Sequence, residues 1–506
     1  MKFPRRSGVL LHPTSLSGRF GIGDLGDAAY RLIDFLSAAR QTYWQVLPLS
    51  PTGYGDSPYM GLSALGGNPM LISPERLMDR GHLSPSDLED VPELAADRVD
   101  FGSVIPYKTN LLNHAFASFR TNAPQAQRQA FTHFCLEQSF WLDDFALFMA
   151  LKETHQLRPW HAWEPELVRR EPEALARARE SLADEIENQK YRQWQFFEQW
   201  LALKGYANAR GIRIIGDIPL YVSDDSADVW SNPQLFHFDE NLEPTVVSGV
   251  PPDYFSETGQ LWGHPIYRWD VMKQNAYAWW IARFRMAFTH ADVVRIDHFR
   301  GFYNYWEVPA GEKTAVKGRW LYGPDADLFH AVTAALGDVA IIAEDLGDFD
   351  QPSRAGVDAL QTEFGFPGMK VVQFAFVDGA SDPFLPHNFT RDWVVYTGTH
   401  DNDTSVGWYT ESSTEKERDY ARRYMGRDGT DIAWDLIRLA WASVANTAMT
   451  TAQDLLSLGH MARMNTPSTT GAPNWCWRLL PGQLEGSVAA RLAEFTTIYG
   501  RLPPST

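Results

Sequence analysis

Short apolar runs recur along the chain, and most of them end in a polar or acidic residue before a helix-like stretch. The runs cover residues 9–11, 43–47, 212–215, 293–296, 339–343, 371–374, 393–397 and, more weakly, 451–455. The stretch 28–39 is typical of the intervening segments, because Leu32, Phe35 and Leu36 share one helix face. Strands alternating with helices predict a parallel α/β fold, and about eight of them predict a (β/α)₈ TIM barrel. An open doubly wound sheet is the competing fold, but no Gly-x-Gly-x-x-Gly motif follows any of the runs.

Two intervals between predicted strands are longer than a single helical crossover requires. Residues 66–205 contain long amphipathic stretches without strand-like alternation, which predicts a mainly helical subdomain inserted between strands two and three. Residues 218–290 are predicted to be a second insertion, between strands three and four, with a lid loop at 248–263. We therefore expect a single catalytic barrel over residues 1–506 with lid loops at its C-terminal face.

The net charge, the cysteine count and the length of the apolar runs limit the binding partners and the location that we expect. Forty-five lysines and arginines against 63 aspartates and glutamates give a net charge of −18, which repels phosphate backbones and anionic membranes. Cys135 and Cys476 are too few for a disulfide scaffold, and no apolar run is long enough to span a membrane. We expect no nucleic-acid or membrane partner, and a cytoplasmic location. The 19 Trp, 19 Tyr and 29 Phe supply rings that can stack on sugars, although most should fill the core.

Three acids stand where barrel chemistry is expected, at the carboxyl ends of strands. Asp297 follows the fourth run, Glu344 follows the fifth, and Asp401 lies just beyond the seventh. Any one of them alone is more often the cap of the next helix than a catalyst. Three acids in register on one barrel make a catalytic role as probable as capping.

The neighbours of two of these acids predict different roles. Arg295 shares a strand face with Asp297, so its charge favours the carboxylate form expected of a nucleophile. Glu344 follows an apolar run with no cation within two positions, so partial burial should keep it protonated as a general acid. A carboxylate beside a protonated carboxylic acid is the pair that cleaves glycosidic bonds with retention.

Seven segments carry a resemblance to a known family. They are LPLSPTGYGDSPY (47–59), GDIPLYV (216–222), VPPDYFSETGQLWGHPIYRW (250–269), VVRIDHFRGF (293–302), IIAEDLG (341–347), GFPGMKVVQFAF (365–376) and YTGTHDNDT (396–404). Together they closely resemble the 4-α-glucanotransferases called amylomaltases or disproportionating enzymes, of the α-amylase clan. The resemblance implies an enzyme that moves glucanosyl units from α-1,4-glucan donors to glucose or maltooligosaccharide acceptors. It implies no cofactor and no metal, and we expect a monomer or weak homo-oligomer.

The resemblance also implies a role for each matching residue. Asp297 would be the nucleophile, Glu344 the acid and then base, and Asp401 a third acid that holds sugar hydroxyls. The implied substrate-binding residues are Tyr59, Asp217, Arg295, His298, His400, Tyr254, Phe255 and Tyr54. Among these, Asp217 is left open between a structural and a substrate role. Tyr254 and Phe255 would form the lid that keeps water from the intermediate, and Tyr54 would belong to a glucan-binding patch away from the acids.

Three other functions remain open at this point. An α-glucan hydrolase of the same clan would use the same three acids. A magnesium-dependent barrel enzyme would hold the metal with Asp217, Asp297 and Glu344 and use Lys370 as base. A non-catalytic glucan-binding protein is disfavoured by the full set of acids with Arg295.

Overall fold

A computed structural model of the chain describes residues 3–252 and 256–503. These residues form twelve strands: β1 (Arg6–Leu10), β2 (Tyr43–Gln45), β3 (Arg213–Pro219), β4 (Val246–Val250), β5 (Gln260–Pro265), β6 (Val293–Asp297), β7 (Asn304–Pro309), β8 (Arg319–Tyr322), β9 (Ile341–Ala343), β10 (Gly368–Val371), β11 (Trp393–Tyr396) and β12 (Thr447–Thr451).

The described residues also form eighteen α-helices, besides short 3₁₀ and π turns. They are α1 (Asp27–Ala38), α2 (Pro74–Asp79), α3 (Phe101–Asn122), α4 (Gln125–Glu137), α5 (Ser139–Thr154), α6 (Pro165–Val168), α7 (Pro172–Ser181), α8 (Ala183–Ala209), α9 (Ala227–Ser231), α10 (Trp269–Gln274), α11 (Ala278–His290), α12 (Asp325–Leu336), α13 (Gln351–Phe364), α14 (Ser405–Gly407), α15 (Glu415–Met425), α16 (Ile432–Ala442), α17 (Ala452–Leu455) and α18 (Gly486–Ile498). None of the helices in these two ranges is long and apolar enough to cross a membrane.

Eight strands form a parallel barrel. Its hydrogen-bonded order is β10, β11, β12, β1, β2, β3, β6, β9, so the barrel strands follow one another in chain order. The Ala343 N–H donates to the Pro367 carbonyl at 2.9 Å, which links β9 to the residue before β10 and closes the circle. The predicted (β/α)₈ fold is confirmed.

Two predicted strands were placed a few residues too late. The sixth ends at Val371, so only the first residue of the predicted run 371–374 is in the strand, and residues 372–374 form a 3₁₀ turn. The eighth runs over Thr447–Thr451, and most of the predicted segment 451–455 is the short helix α17. Thr451 accepts a hydrogen bond from the Asp454 N–H and caps that helix, so Thr451 marks the end of the strand and not its start.

Helices α2 to α8 lie between β2 and β3. The longest of them, α8, packs against α5 and buries Trp194, Phe196 and Trp200. That residues 66–205 form a separate subdomain stays a prediction.

A second sheet was not predicted. It contains four antiparallel strands in the order β5, β4, β7, β8. Two of its strands precede the barrel strand β6 and two follow it. The predicted lid loop 248–263 overlaps this sheet, because it begins inside β4 and ends inside β5.

The two-residue period of the barrel strands determines which residues face inward. Tyr43, Ile215, Val293, Ile342 and Val394 belong to one buried apolar cluster inside the barrel. The residues two positions further along these strands share the same face. They are Gln45, Asp217, Arg295, Glu344 and Tyr396. An apolar layer is therefore followed by a polar layer at the carboxyl ends of the strands.

Candidate active site

Arg295 lies at the centre of the polar layer and bridges two carboxylates. Its guanidinium donates to both oxygens of Asp217, at 2.9 and 2.7 Å, and to Oδ1 of Asp297 at 3.0 Å. Burial alone would lower the pKa of Arg295, but the charges of Asp217 and Asp297 outweigh it and raise that pKa well above its ordinary value. Arg295 therefore remains a cation that supports negative charge on Asp297, whose side chain is 30% exposed.

Asp217 is the most enclosed of the acids, with its side chain fully buried. Register places it directly beside Arg295 on the neighbouring strand. It also accepts a hydrogen bond from the Tyr59 hydroxyl at 2.9 Å. Burial raises the pKa of Asp217 to about 6, against the lowering effect of Arg295. Its oxygens are already occupied by protein donors, which favours a role in orienting Arg295 and Tyr59.

Glu344 is buried and held by two backbone donors. The His298 N–H donates to Oε2 at 2.8 Å, and the Leu346 N–H donates to Oε1 at 2.9 Å. Burial, and then the negative charge of Asp297, raise the pKa of Glu344 from 4.5 to about 8, although Arg295 and the two N–H groups oppose this. Burial and the neighbouring charge thus both favour the protonated form of Glu344, which is the form that a proton donor needs.

His298 follows Asp297 in a left-handed backbone conformation, with φ of 54°. Left-handed backbone is strained for a residue with a Cβ atom, and such strain recurs at functional sites. The turn aims the N–H of His298 at Glu344 and places its ring 4.7 Å from Trp262, edge to face. Burial lowers the pKa of His298 to about 3, so the ring is neutral. Its Nε2 atom is buried without a hydrogen-bond partner within the described chain.

Three aromatic rings pack together next to Asp217 and Asp401. Tyr59 stacks on His400 with ring centroids 5.0 Å apart, and Trp475 packs against both at 5.8 and 5.9 Å. Burial and the charge of Asp217 raise the pKa of Tyr59 well above its ordinary value, so its hydroxyl remains a donor. The Nδ1 atom of His400 is buried and, within residues 3–252 and 256–503, has no partner.

Asp401 lies beside His400 in the loop after β11. Its Oδ2 is 3.4 Å from Nε2 of His400, and its Oδ1 accepts a hydrogen bond from the Asn465 side chain at 2.6 Å. The Asp401 side chain is 44% exposed, more than those of the other acids. The barrel strands and the loops that follow them thus bring together these residues predicted for the site: Tyr59, Asp217, Arg295, Asp297, His298, Glu344, His400 and Asp401.

Comparison with known proteins identifies the family. The sequence profile of the family described as 4-alpha-glucanotransferase matches residues 11–483. The chain belongs to this family. The 4-alpha-glucanotransferase of Synechocystis sp. is 51% identical over 503 residues, covering 98% of each chain, and that of Thermus thermophilus is 48% identical over 510 residues, covering 99% of this chain and 100% of the relative.

A solved structure agrees with these relatives. The amylomaltase from Streptococcus agalactiae in complex with acarbose has a TM-score of 0.94 and 41% identity, covering 98% of this chain and 100% of that one. The predicted family, the predicted 4-alpha-glucanotransferase activity and the predicted enzyme class are therefore confirmed.

Three residues of the sequence-based site lie outside this cluster or outside the described residues. Tyr54 is 72% exposed, on the turn Tyr54–Asp56. Tyr254 and Phe255, the predicted lid rings, lie outside the described residues.

The magnesium alternative does not fit this 4-alpha-glucanotransferase geometry. The Arg295 guanidinium lies between Asp217 and Asp297 and donates to both, so a cation already occupies the space between them. The expected base, Lys370, has its ammonium 4.1 Å from the ring centre of Trp393, whereas its neighbour Met369 contacts Arg295. In the described ranges, no three His, Cys, Asp or Glu residues are grouped so that they could hold a metal ion.

Three residues that contact the site were not predicted from the sequence. Trp475 and Asn465 come from the segment after β12, far along the chain from their partners: Trp475 packs against Tyr59 and His400, and Asn465 donates to Asp401. Trp262 lies in one of the segments that carry the family resemblance, but no local pattern shows that its ring packs against His298. Only the folded barrel shows that these three side chains meet the site.

Proposed function

We propose that the enzyme transfers glucanosyl units by a retaining mechanism, with Asp297 as nucleophile and Glu344 as acid and base. The observation that carries this proposal is the contrast in surroundings between two acids, since Glu344 is buried and Asp297 is paired with a guanidinium. Glu344 has a pKa of about 8, while Asp297 accepts a hydrogen bond from the permanently charged Arg295. One group can donate a proton while the other attacks.

In the first step, a carboxylate oxygen of Asp297 attacks the anomeric carbon of the donor as the glycosidic C–O bond breaks. The departing 4-oxygen takes the proton from Glu344 and leaves as a shortened glucan. Glu344 then carries a negative charge, which the N–H groups of His298 and Leu346 already face.

In the second step, the 4-hydroxyl of an acceptor glucan attacks the same carbon and loses its proton to Glu344. The bond to Asp297 breaks, so the carboxylate and the protonated acid are both restored. Two inversions give overall retention, and the number of glycosidic bonds is unchanged.

The remaining side chains would hold the reacting sugar. His298 Nε2 and His400 Nδ1 are buried polar atoms that sugar hydroxyls can satisfy, and Asp401 is an exposed acceptor for two more. Tyr59 would stack on the sugar. Its hydroxyl donates to Asp217, which Arg295 holds in turn, so these two residues would fix the position of the Tyr59 ring. The Streptococcus agalactiae amylomaltase is in complex with acarbose, which supports a glucan-like ligand for this enzyme.

Transfer also requires that water be kept from the covalent intermediate. We assign this to the lid rings Tyr254 and Phe255, and a surface glucan contact to Tyr54, whose exposed ring is free to stack on a chain. A cytoplasmic location and a monomeric or weakly associated state belong to the same proposal.

An activated 5-fluoro glucosyl donor tests the roles of the acids. The fluorinated sugar should accumulate as an adduct, and peptide mapping should place the added mass on Asp297. Asp297→Asn should form no adduct, while the matched variant Asp217→Asn should still form one at a reduced rate. Added mass on Asp401 would reverse the assignment.

Pure maltotriose tests transfer against hydrolysis. We expect glucose and a ladder of longer maltodextrins, with almost no increase in total reducing ends. Reducing ends that rise in step with substrate loss would favour the hydrolase alternative.

A further inference from the structure

The segment that follows β12 holds the His400–Asp401 turn through three hydrogen bonds. The Arg463 guanidinium donates to the Asp401 carbonyl at 2.6 Å, and the Asn465 N–H donates to the His400 carbonyl at 3.0 Å. The third bond runs from the Asn465 side-chain amide to Oδ1 of Asp401, at 2.6 Å. Two of these bonds fix the backbone of the turn, and the third fixes the carboxylate.

We propose that Asn465 is a positioning residue that sets the orientation of the Asp401 carboxylate. An ionised carboxylate only accepts hydrogen bonds, so the Asn465 atom that faces it must be the amide nitrogen. With Oδ1 fixed in this way and Oδ2 directed towards His400, rotation about the Cβ–Cγ bond is restricted. The carboxylate lone pairs that have no protein partner then keep a constant direction. The inference rests on the proposed role of Asp401 as the third acid.

A neutral donor suits this task better than a cation. Asp217 is paired with the positive charge of Arg295, which donates to both of its oxygens, and Asp217 also accepts from the Tyr59 hydroxyl. Asn465 orients Asp401 without cancelling its charge, so the carboxylate remains a strong acceptor for sugar hydroxyls. The two acids thus differ in function because they differ in the charge of their protein partner.

Hydrogen bonds also hold the segment that carries Asn465. Arg463 donates to the Asn465 carbonyl at 2.7 Å, and the Trp475 N–H donates to the Met464 carbonyl at 2.7 Å. The side chain of Asn474 accepts from the Thr466 N–H at 2.9 Å. Hydrogen bonds therefore hold the backbone before and after Asn465, so its side chain is held in place where it contacts Asp401.

The variant Asn465→Asp tests the inference, because it keeps the shape and replaces the donor by an acid. At pH 7 two carboxylates would face each other, and kcat/KM on maltotriose should fall roughly 10- to 100-fold, mainly in kcat. On lowering the pH towards about 5, the pair should share one proton and regain its hydrogen bond, so activity relative to the native protein should rise. Asn465→Ala should show a similar loss that does not recover in acid.

Asn474→Asp is the matched control. It makes the same substitution in the same segment, but Asn474 contacts Thr466 and Thr469 rather than Asp401. We expect it to keep the native pH profile. The other ionisable groups facing Asp401 include Arg463, His400 and Tyr59, and these are unchanged in all three variants.

Two further measurements separate this inference from the proposed function. If Asp401→Asn retains native turnover, the third-acid role fails. If Asp401→Asn is inactive but the Asn465→Asp profile runs parallel to that of the native protein, the positioning role fails and the third-acid role stands. Native-like melting temperatures would show that the variants fold.

Discussion

Replacing Glu344 by glutamine should make the protein more stable and less active at once. The native side chain is buried among groups that disfavour its charge, so the folded state binds the proton more tightly than the unfolded chain does. Such a group contributes stability at low pH and loses it as the pH rises from the unfolded pKa towards the folded one. Glutamine has the same shape and does not titrate.

The magnitude follows from the two pKa values, 4.5 and about 8. At pH 7 the unfolded chain gains roughly 3 kcal/mol by ionising this glutamate, and the folded protein gains almost nothing. Glutamine offers only one amide oxygen to the two N–H groups that face this side chain. One N–H group is therefore left without an acceptor, which costs about 1–2 kcal/mol. We therefore expect a net stabilisation of about 1–2 kcal/mol at pH 7.

Urea unfolding followed by tryptophan fluorescence measures this difference at several pH values. Between pH 5 and 7 the stability difference between Glu344→Gln and the native protein should grow by up to about 1.4 kcal/mol per pH unit, and the growth should level off near pH 8, where the folded protein also loses the proton. Over the same range, turnover of the variant should be lower by roughly 10²–10⁴-fold. Glu180→Gln, which replaces an exposed glutamate in α7, provides the background response.

A difference that stays flat between pH 5 and 8 would refute the reasoning. It would mean that Glu344 is ionised in the folded protein and does not serve as a proton donor at neutral pH. The cost of the unpaired N–H group does not change with pH. The slope of the stability difference against pH therefore tests the protonation of Glu344 separately from that cost.

Three further outcomes are expected. Turnover of the native protein on maltotriose should fall as the pH rises through about 8, where Glu344 loses its proton; a rate that is constant from pH 7 to 9.5 would contradict this. Arg295→Met should lower the free energy of unfolding by about 3–5 kcal/mol in urea, since it leaves Asp217 and Asp297 without their cation; an unchanged midpoint would show that the bridge is unimportant. Trp475→Ala should reduce kcat by loosening Tyr59 and His400, and Trp475→Phe should restore most of it; equal losses would argue against ring packing as the cause.

Much of the barrel and its acids could be predicted because the relevant signals are local. Asp297 and Glu344 each end a short apolar run, and Arg295 lies two positions from Asp297 on the same face. The pairing of Arg295 with Asp217 depends instead on the register between β3 and β6, which no local pattern reveals.

The misplaced eighth strand and the unpredicted sheet also have physical explanations. The sequence of β12, Thr-Ala-Met-Thr-Thr, has few large apolar residues, so the apolar pattern favoured the leucines that follow it. The strands β4 and β5 are short and half-buried, and β7, the second partner of β4, comes only after another barrel strand. The pairing of β4 with β7 is non-local, as is the contact of Asn465 with Asp401.

The sheet that flanks β6 links two regions of the chain that must change together. The register pairs Val246 with Pro309 and Gly249 with Trp306, so the segment that enters β6 is bonded to the segment that leaves it. A recombinant that exchanged residues 246–265 for those of a relative, but not residues 304–322, would pair strands from two different proteins within this sheet. We expect the two segments to behave as a single module in protein engineering, although the chain separates them by a barrel strand.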